Sequence, residues 1–280
     1  MRKLGDLNPK RNSFGLYAPS GRGKTLQSLS FAGEGIGKAI VINVETGPEE
    51  GAGGLTTLFH CDGIYPHLNA AWLRENTLVY DVRSWEEMQS VLAQIKLRAA
   101  DLVADGYTLL VLDGGSALSY LIRLAFTRLA PEGGASAKRH TIIGALVTDA
   151  EGNATSNMEL AYYDVIYDRY LDMHSKLKQL PFTFVATYLE DEAYDPETRK
   201  IKIGRGPRLV GKKLPSQIAA EVDGFFHLEV KDGQRMWLTD NDPTELGNPV
   251  DAIAKNRFGK RVEKWIEADG SKLLERLGVM

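Results

Sequence analysis

Short, continuous runs of apolar residues recur along the chain, and segments with apolar residues at helical spacing lie between them. Continuous apolar runs of this length are typical of strands that are buried on both faces of a parallel sheet. Strands that alternate with helices build a mainly parallel sheet flanked by helices, so the pattern predicts an α/β fold. The runs that we assign to strands are 13–17, 39–44, 77–82, 107–112 and 182–187.

Two long helices are predicted between these strands. Ser84 and Glu87 have the spacing of a capping box, which opens a helix whose apolar side runs from Trp85 to Val103. A second helix extends from about 158 to Leu180, where the following proline stops it.

Three segments depart from this alternation. Residues 131–157 are rich in small and polar residues and are too long for a simple connection in a compact domain. Residues 189–210 predict a protruding hairpin that turns at 195–198. Beyond these, 225–230 and 235–239 predict antiparallel strands joined by a turn that contains an Asp-Gly pair.

The composition limits the classes of protein to which the chain can belong. With 280 residues, 43% apolar and 25% charged, the chain has the makeup of an ordinary globular protein, and we predict one domain over 1–280. Its core spans about 13–240, and 241–280 is a candidate for a subunit interface. A formal net charge of −3 excludes a surface that is positive throughout, so any nucleic-acid surface must be local.

The sequence also limits the cell compartment and the metal sites that can be expected. No stretch has the apolar length of a membrane span or the apolar core of a signal peptide, so we expect no membrane partner. The single cysteine, Cys61, cannot form an intramolecular disulfide, which fits a cytoplasmic location, in the host if a phage encodes the protein. Its neighbours His60 and His67 are too few to complete a zinc site with it.

A glycine-rich turn links the first predicted strand to a helix. Residues 18–25 depart from the phosphate-loop pattern G-x-x-x-x-G-K-[ST] only at the first position. Gly21 and Gly23 let backbone N–H groups turn toward a phosphate, and the helix adds the positive end of its dipole. Lys24 is expected to reach the β- and γ-phosphates, and Thr25 to bind Mg²⁺. The predicted nucleotide-binding residues are Ala18, Pro19, Ser20, Gly21, Arg22, Gly23, Lys24, Thr25 and Leu26.

A carboxylate must complete the magnesium site from a neighbouring strand. Asp113 directly follows the apolar run 107–112. It therefore lies at the carboxyl edge of the predicted sheet, where ligands bind in open α/β folds. We predict that Thr25 and Asp113 hold Mg²⁺ and that Asp113 also contributes to nucleotide binding.

Hydrolysis also needs a base that polarises the attacking water. Asp113 is followed by small residues and not by a glutamate, so the base must come from another strand. Glu45 ends the run 39–44 at the same sheet edge and is the preferred candidate. Glu49 and Glu50 are the alternatives.

These segments resemble the RecA-like ATPases. In that family, the loop after the second strand carries the catalytic glutamate, and a strand ending in Asp before small residues completes the site. Residues 41–45 and 110–118 match both features, and the resemblance extends from about 13 to 257. Within the family, the chain looks most like bacteriophage proteins of the Sak type, which act in single-strand annealing and recombination.

The resemblance implies a RecA-like P-loop core with ATP and Mg²⁺ as cofactors. It further implies a homo-oligomer, in the form of a ring or a filament, that acts on single-stranded DNA in recombination or replication. A single-strand-binding protein is a further candidate partner. Thr187 and Tyr188 occupy the place where the family carries a polar sensor for the γ-phosphate. Thr187 can donate a hydrogen bond there, although both residues can instead be packed within the sheet.

Residues 254–259 resemble the K-x-R-x-G segment of ring helicases of the DnaB type. The resemblance implies that Lys255 and Arg257 reach a neighbouring subunit's γ-phosphate, where a trans arginine stabilises transition-state charge. The alternative is a solvated basic cluster that also includes Lys260, Arg261 and Lys264.

The predicted hairpin divides its charges between two arms, with acidic residues before the turn and cations after it. In RecA-like proteins, the mobile loops that face DNA occupy the places of 131–157 and 189–213. Clustered cations among glycines can follow a phosphate backbone, although the two arms can also pair with each other across the strands. The cations predicted to contact DNA are Arg199, Lys200, Lys202, Arg205, Arg208, Lys212 and Lys213.

We therefore expect a DNA-stimulated ATPase that converts ATP and water to ADP and phosphate. Two alternatives stay open. The first is a ring helicase or motor of the DnaB type, and the second is a small-molecule kinase that uses the same phosphate loop. The lack of an N-K-x-D motif argues against a GTPase.

Overall fold

A computed structural model gives the fold of the chain. It describes residues 12–44, 53–61, 65, 67–127, 158–194, 202–210, 213–240, 253–259 and 262–279.

One sheet organises the described residues. Its strands are β1 (Ser13–Ala18), β2 (Lys38–Asn43), β3 (Thr77–Asp81), β4 (Tyr107–Asp113), β5 (Thr183–Tyr194), β6 (Lys202–Pro207), β7 (Gly224–Lys231), β8 (Gln234–Leu238), β9 (Lys255–Asn256) and β10 (Trp265–Glu267). The α-helices are α1 (Lys24–Leu29), α2 (Ala70–Glu75), α3 (Trp85–Leu97), α4 (Ala99–Ala104), α5 (Gly115–Thr127), α6 (Met158–Lys178), α7 (Leu214–Glu221) and α8 (Gly270–Arg276). A 3-10 helix spans Gly53–Phe59.

The strand order is β10-β8-β7-β1-β5-β4-β2-β3, with β6 paired to β5 and β9 to β7. The six strands from β7 to β3 are parallel to one another, whereas β6, β8, β9 and β10 join antiparallel. This arrangement confirms the predicted α/β fold with a mainly parallel sheet, antiparallel C-terminal strands and a hairpin.

Helices cover both faces of the sheet with apolar side chains. Successive residues of β1 alternate between the two faces, since Leu16 packs into one buried cluster and Tyr17 into the other. The Leu16 cluster contains residues of α1, α2 and α8, and the Tyr17 cluster contains residues of α3, α5, α6 and α7. Burial on both faces explains why the parallel strands are continuous apolar runs in the sequence.

The sheet register brings the ends of the predicted strands to one edge. Ala18 at the end of β1 pairs with Leu189, and Asn43 at the end of β2 pairs with Asp113. Because these strands are parallel, the residues that follow them share the carboxyl edge of the sheet.

The prediction of a single helix from Trp85 to Val103 was wrong. The chain forms α3 and α4, separated at Arg98, whose ψ of 7° lies outside the helical range. Leu102 is buried whereas Val103 is 46% exposed, so Val103 does not lie on the apolar side as predicted. At the start of α3, Ser84 accepts from the Glu87 amide, as a capping box requires.

The hairpin and the C-terminal turn were predicted correctly. Strand β5 continues past the sheet and pairs antiparallel with β6, from Glu190↔Pro207 to Tyr194↔Lys202. Asp232 and Gly233 join β7 to β8 with φ values of 51° and 78°, as a tight hairpin turn requires. The predicted turn at 195–198 and the long connection 131–157 lie outside the described residues. Among the described helices, none is long and apolar enough to cross a membrane.

Candidate nucleotide-binding site

The phosphate-loop pattern lies between β1 and α1, at the centre of the sheet. Gly21 and Gly23 have φ values of 74° and 86°, in the left-handed region that favours glycine. A Cβ atom at Gly23 would lie only 2.8 Å from the Tyr65 hydroxyl, so that position also lacks space for a side chain. Successive turns of this kind direct backbone N–H groups to one side and form a concave anion site.

Lys24 folds back along the inside of the loop. Its Nζ donates to the carbonyl oxygens of Ala18 and Pro19 at 3.2 and 3.0 Å. The side chain is buried, so its charge is held within the loop and not in bulk solvent. Ser20, Gly21 and Arg22 form the exposed tip of the loop.

Leu26 differs from the other predicted nucleotide-binding residues. Its side chain is buried in the apolar cluster that contains Phe14 and Leu29. It can therefore offer only its backbone N–H to a phosphate.

Thr25 and Asp113 meet across the sheet edge. Thr25 Oγ1 donates to Asp113 Oδ2 at 2.8 Å, although the two residues are 88 positions apart. Asp113 is buried, and burial raises the pKa of its carboxyl group, while hydrogen bonds from Thr187 and Thr25 and the charge of Lys24 offset part of that effect. A hydroxyl and a carboxylate are the hard oxygen ligands that Mg²⁺ prefers, so this pair fits the predicted metal.

Thr187 supports the second oxygen of the same carboxylate. Its Oγ1 donates to Asp113 Oδ1 at 2.6 Å and accepts from the Gly114 amide at 3.1 Å. The hydroxyl thus fixes both the carboxylate and the first residue after β4. Sequence reasoning placed Thr187 at this edge but did not predict its contact with Asp113.

Asn43 is a buried polar residue of the site that sequence reasoning missed. It ends β2 opposite Asp113, and its amide donates to Asp81 Oδ1 at 2.7 Å. Its Oδ1 atom is buried and has no hydrogen-bond partner among the described residues. The sequence feature that could have identified it is an asparagine within the apolar run 39–44, since a polar side chain in a buried strand normally has a hydrogen-bond partner.

A comparison with protein-family models identifies the wider family. A model described as an AAA domain matches residues 10–258. The chain belongs to this AAA-domain family. Membership indicates a P-loop ATPase that binds a nucleotide, in agreement with the loop and the Thr25–Asp113 pair. No curated protein matches the chain significantly.

The general base of this AAA domain stays a prediction. Glu45, Glu49 and Glu50 all lie outside the described residues. Strand β2 ends at Asn43, beside Asp113, and the next residue, Val44, donates its amide to the Asp113 carbonyl at 2.8 Å.

Tyr188 has a packing role in the AAA domain. Its side chain is fully buried, and a Cβ atom at Gly115 would lie 2.6 Å from its ring. The Tyr188 ring therefore packs against the start of α5. Thr187, and not Tyr188, is the residue of this pair whose hydroxyl contacts Asp113.

Lys255 and Arg257 contact the end of α7. Lys255 Nζ donates to the carbonyl oxygens of Ala219, Ala220 and Val222 at 3.0, 2.7 and 3.2 Å. Arg257 Nη2 donates to the Ala220 carbonyl at 2.6 Å. Cations stabilise the negative end of a helix dipole, so both residues have a structural role within one chain. Their action in a neighbouring subunit stays a prediction.

The described cations of the hairpin are paired with acidic residues. Arg205 lies 3.0 Å from Glu229 and 3.7 Å from Glu190, and Arg208 lies 3.8 Å from Asp191. These contacts favour the alternative in which acidic and basic residues pair across the strands. Lys213 is exposed and precedes α7. Arg199, Lys200 and Lys212 lie outside the described residues, and Lys202 is described only as the first residue of β6.

A buried histidine joins the hairpin to β7. His227 Nε2 lies 2.7 Å from Glu190 Oε2, and its Nδ1 lies 3.1 Å from Glu229 Oε1. Burial alone would lower the pKa of His227, but the two carboxylates more than offset this effect and raise it. The same contact is the main reason why the pKa of Glu229 is lowered. With Arg205, these side chains form a compact charged cluster at the base of the hairpin.

Proposed function

We propose that the protein binds MgATP at the phosphate loop and hydrolyses it, and that single-stranded DNA stimulates this hydrolysis. The observation that carries the ATP part is the buried contact of 2.8 Å between Thr25 and Asp113, next to a loop that holds Lys24 inside. A hydroxyl, a carboxylate and an ammonium at one sheet edge are the groups that Mg²⁺ and a triphosphate require.

Each group of the chain has a distinct task in this proposal. Gly21 and Gly23 turn backbone N–H groups toward the phosphates. Lys24 exchanges its two carbonyl partners for phosphate oxygens, which bind an ammonium more strongly because they are charged. Thr25 and Asp113 hold Mg²⁺, which supplies positive charge at the β- and γ-phosphates when bound. Glu45 orients the attacking water as the general base.

The hairpin supports single-stranded DNA as the partner. Strand β5 lies next to β1, so the hairpin extends from the same sheet edge as the phosphate loop. The Arg208 side chain is 54% exposed, and its pair with Asp191 at 3.8 Å is of the exposed kind that contributes little energy. A DNA phosphate can therefore compete for Arg208, whereas Arg205 is held by two carboxylates.

The ATP part is tested by steady-state hydrolysis with Lys24→Ala. Loss of one preorganised cation that stabilises transition-state charge should lower kcat by about 100-fold or more. Lys176→Ala is the matched control, since Lys176 is an exposed lysine of α6 that pairs with Asp172 on the same helix. Equal rates for Lys24→Ala and the control would refute the site.

The DNA part is tested by the rate and by binding with and without single-stranded DNA. We expect stimulation by DNA and binding that weakens steeply with salt. Arg208→Glu should weaken DNA binding and reduce the slope of log affinity against log salt by about one. Lys96→Glu, a charge reversal at an exposed position of α3, should change neither. If the rate of hydrolysis is the same with and without DNA, DNA stimulation is refuted and the proposed ATPase activity stands.

A further inference from the structure

A cavity of about 160 Å³ lies beside Gln27 of α1. Its walls come from α1, from Tyr65 and His67, and from β8 and β10 with the residue that follows β10. The polar residues that line it are Gln27, Tyr65, His67, Gln234, Arg235 and Glu267.

Two residues that line the cavity also lie close to the phosphate loop. Arg235 Nε approaches the Arg22 carbonyl oxygen at 3.4 Å, and the Tyr65 hydroxyl would be only 2.8 Å from a Cβ atom at Gly23. The Arg235 guanidinium lies 4.6 Å from the centre of the Tyr65 ring. The cavity therefore lies next to the phosphate loop.

Gln27 carries the unusual polar group of this cavity. Its side chain is fully buried, yet neither its amide nitrogen nor its amide oxygen has a hydrogen-bond partner among the described residues. Buried polar groups are nearly always paired, because burial without a partner costs free energy. An amide has both donors and an acceptor, so its complement is a ligand edge that carries an acceptor beside a donor.

The charged groups around the cavity already have partners. Glu267 Oε2 accepts from Lys272 at 2.6 Å, and Asp269 Oδ1 accepts from the Ser271 amide at 3.0 Å at the start of α8. The atoms that are buried and without partners among the described lining residues are the Gln27 amide and Nε2 of His67. The Gln27 amide is uncharged, so it suits a neutral heteroaromatic ring better than a cation.

Helix geometry separates this cavity from the proposed metal site. Gln27 follows Thr25 by two residues, which is about 200° around α1 and about 3 Å along it. Thr25 faces Asp113, so Gln27 faces the opposite side of the same helix start. A nucleotide whose phosphates occupy the loop can thus extend its base into the cavity.

We propose that this cavity receives the base of the bound nucleotide, with the Gln27 amide paired to the hydrogen-bonding edge of the base and Tyr65 and Arg235 as stacking surfaces. This inference rests on the proposed function and assigns the part of the ligand that the phosphate loop does not contact. Glutamine pairs with adenine through the adjacent amino group and ring nitrogen, and aromatic and guanidinium planes stack on bases.

The test compares MgATP with magnesium tripolyphosphate, which has the phosphates but no base. Isothermal titration calorimetry on the full chain should show that MgATP binds the wild type at least about tenfold more tightly, since a stacked and hydrogen-bonded base adds affinity. Gln27→Leu should weaken MgATP about five- to tenfold and leave tripolyphosphate within about twofold. Gln179→Leu, the same change at an exposed site on the turn after α6, is the matched control.

A second readout separates recognition from packing. Because Leu has no polar atoms to leave unpaired, Gln27→Leu should raise the urea midpoint of the nucleotide-free protein while it weakens MgATP. At the rim, Tyr65→Phe should keep MgATP affinity and Tyr65→Leu should lose it, since only Phe retains a stacking face.

The outcomes distinguish this inference from the proposed function. If Gln27→Leu and Tyr65→Leu bind MgATP as the wild type does, or if the wild type binds MgATP no better than tripolyphosphate, the base subsite is refuted and the phosphate site stands. If Lys24→Ala leaves both affinities unchanged, the phosphate site itself is refuted, and the base subsite falls with it.

Discussion

Replacement of Thr187 by valine tests how the candidate metal site is held in shape. Valine has almost the same shape as threonine but lacks the hydroxyl that donates to Asp113 at 2.6 Å and accepts from Gly114 at 3.1 Å. A hydrogen bond to a charged group contributes about 1.5–3 kcal/mol, and a buried N–H without a partner costs about 1–3 kcal/mol. Because one hydroxyl makes both contacts, we expect the free energy of unfolding to fall by about 3 kcal/mol.

Urea unfolding at neutral pH measures this loss, with Thr187→Ser as the control. Serine keeps the hydroxyl and removes only a methyl group, which costs about 1 kcal/mol. The two variants should also differ in their Mg²⁺ requirement for hydrolysis, because a carboxylate that has lost one of its two hydroxyl partners binds Mg²⁺ less tightly. The Mg²⁺ concentration for half-maximal hydrolysis should rise in Thr187→Val and change little in Thr187→Ser.

The pH dependence of the difference supplies a further check. Burial raises the pKa of Asp113 above that of an unfolded aspartate, so the native state binds more protons and stability falls as the pH rises through the interval between the two pKa values. The hydrogen bond from Thr187 lowers the pKa of Asp113, so its removal should raise that pKa further. The stability gap between Thr187→Val and the wild type should then narrow at acidic pH, where Asp113 is protonated in both. A serine variant as unstable as the valine variant, or a gap that widens on acidification, would refute this account.

Two further predictions concern the hairpin base and the phosphate loop. Burial would lower the pKa of His227, but its carboxylate partners raise it. Because the native state then holds the proton more tightly than the unfolded state, the urea midpoint should fall as the pH rises from about 6.5 through the raised pKa. His227→Gln should make this fall smaller. A midpoint that increases over this range would contradict the assignment. Gly21→Ala and Gly23→Ala each force alanine into a left-handed conformation at a cost of about 1–2 kcal/mol, but only the change at Gly23 also meets the Tyr65 hydroxyl. In thermal unfolding without nucleotide, Gly23→Ala should therefore lower the melting temperature more than Gly21→Ala does. Equal decreases would contradict the steric explanation.

Several features followed from local sequence because their causes are local. The left-handed conformations at Gly21, Gly23 and Gly233 need residues without a Cβ atom, and such residues are visible in the sequence at those positions. The parallel strands were also visible, since burial on both faces requires continuous apolar runs. The break at Arg98 was not, because the apolar spacing continues across it.

The sequence by itself determined the succession of β1 to β5 along the chain, the loop between β1 and α1, and the strand that ends in Asp113, because each depends on neighbouring residues. Only the tertiary structure decided which side chains meet at the sheet edge. Thr25, Thr187 and Asp113 come from segments more than 70 positions apart, and their contacts depend on the strand order and register. The same holds for the cavity beside Gln27, whose walls come from distant segments of the chain. The sequence has no pattern that shows the burial of the Gln27 amide, since this burial is set by the packing around it.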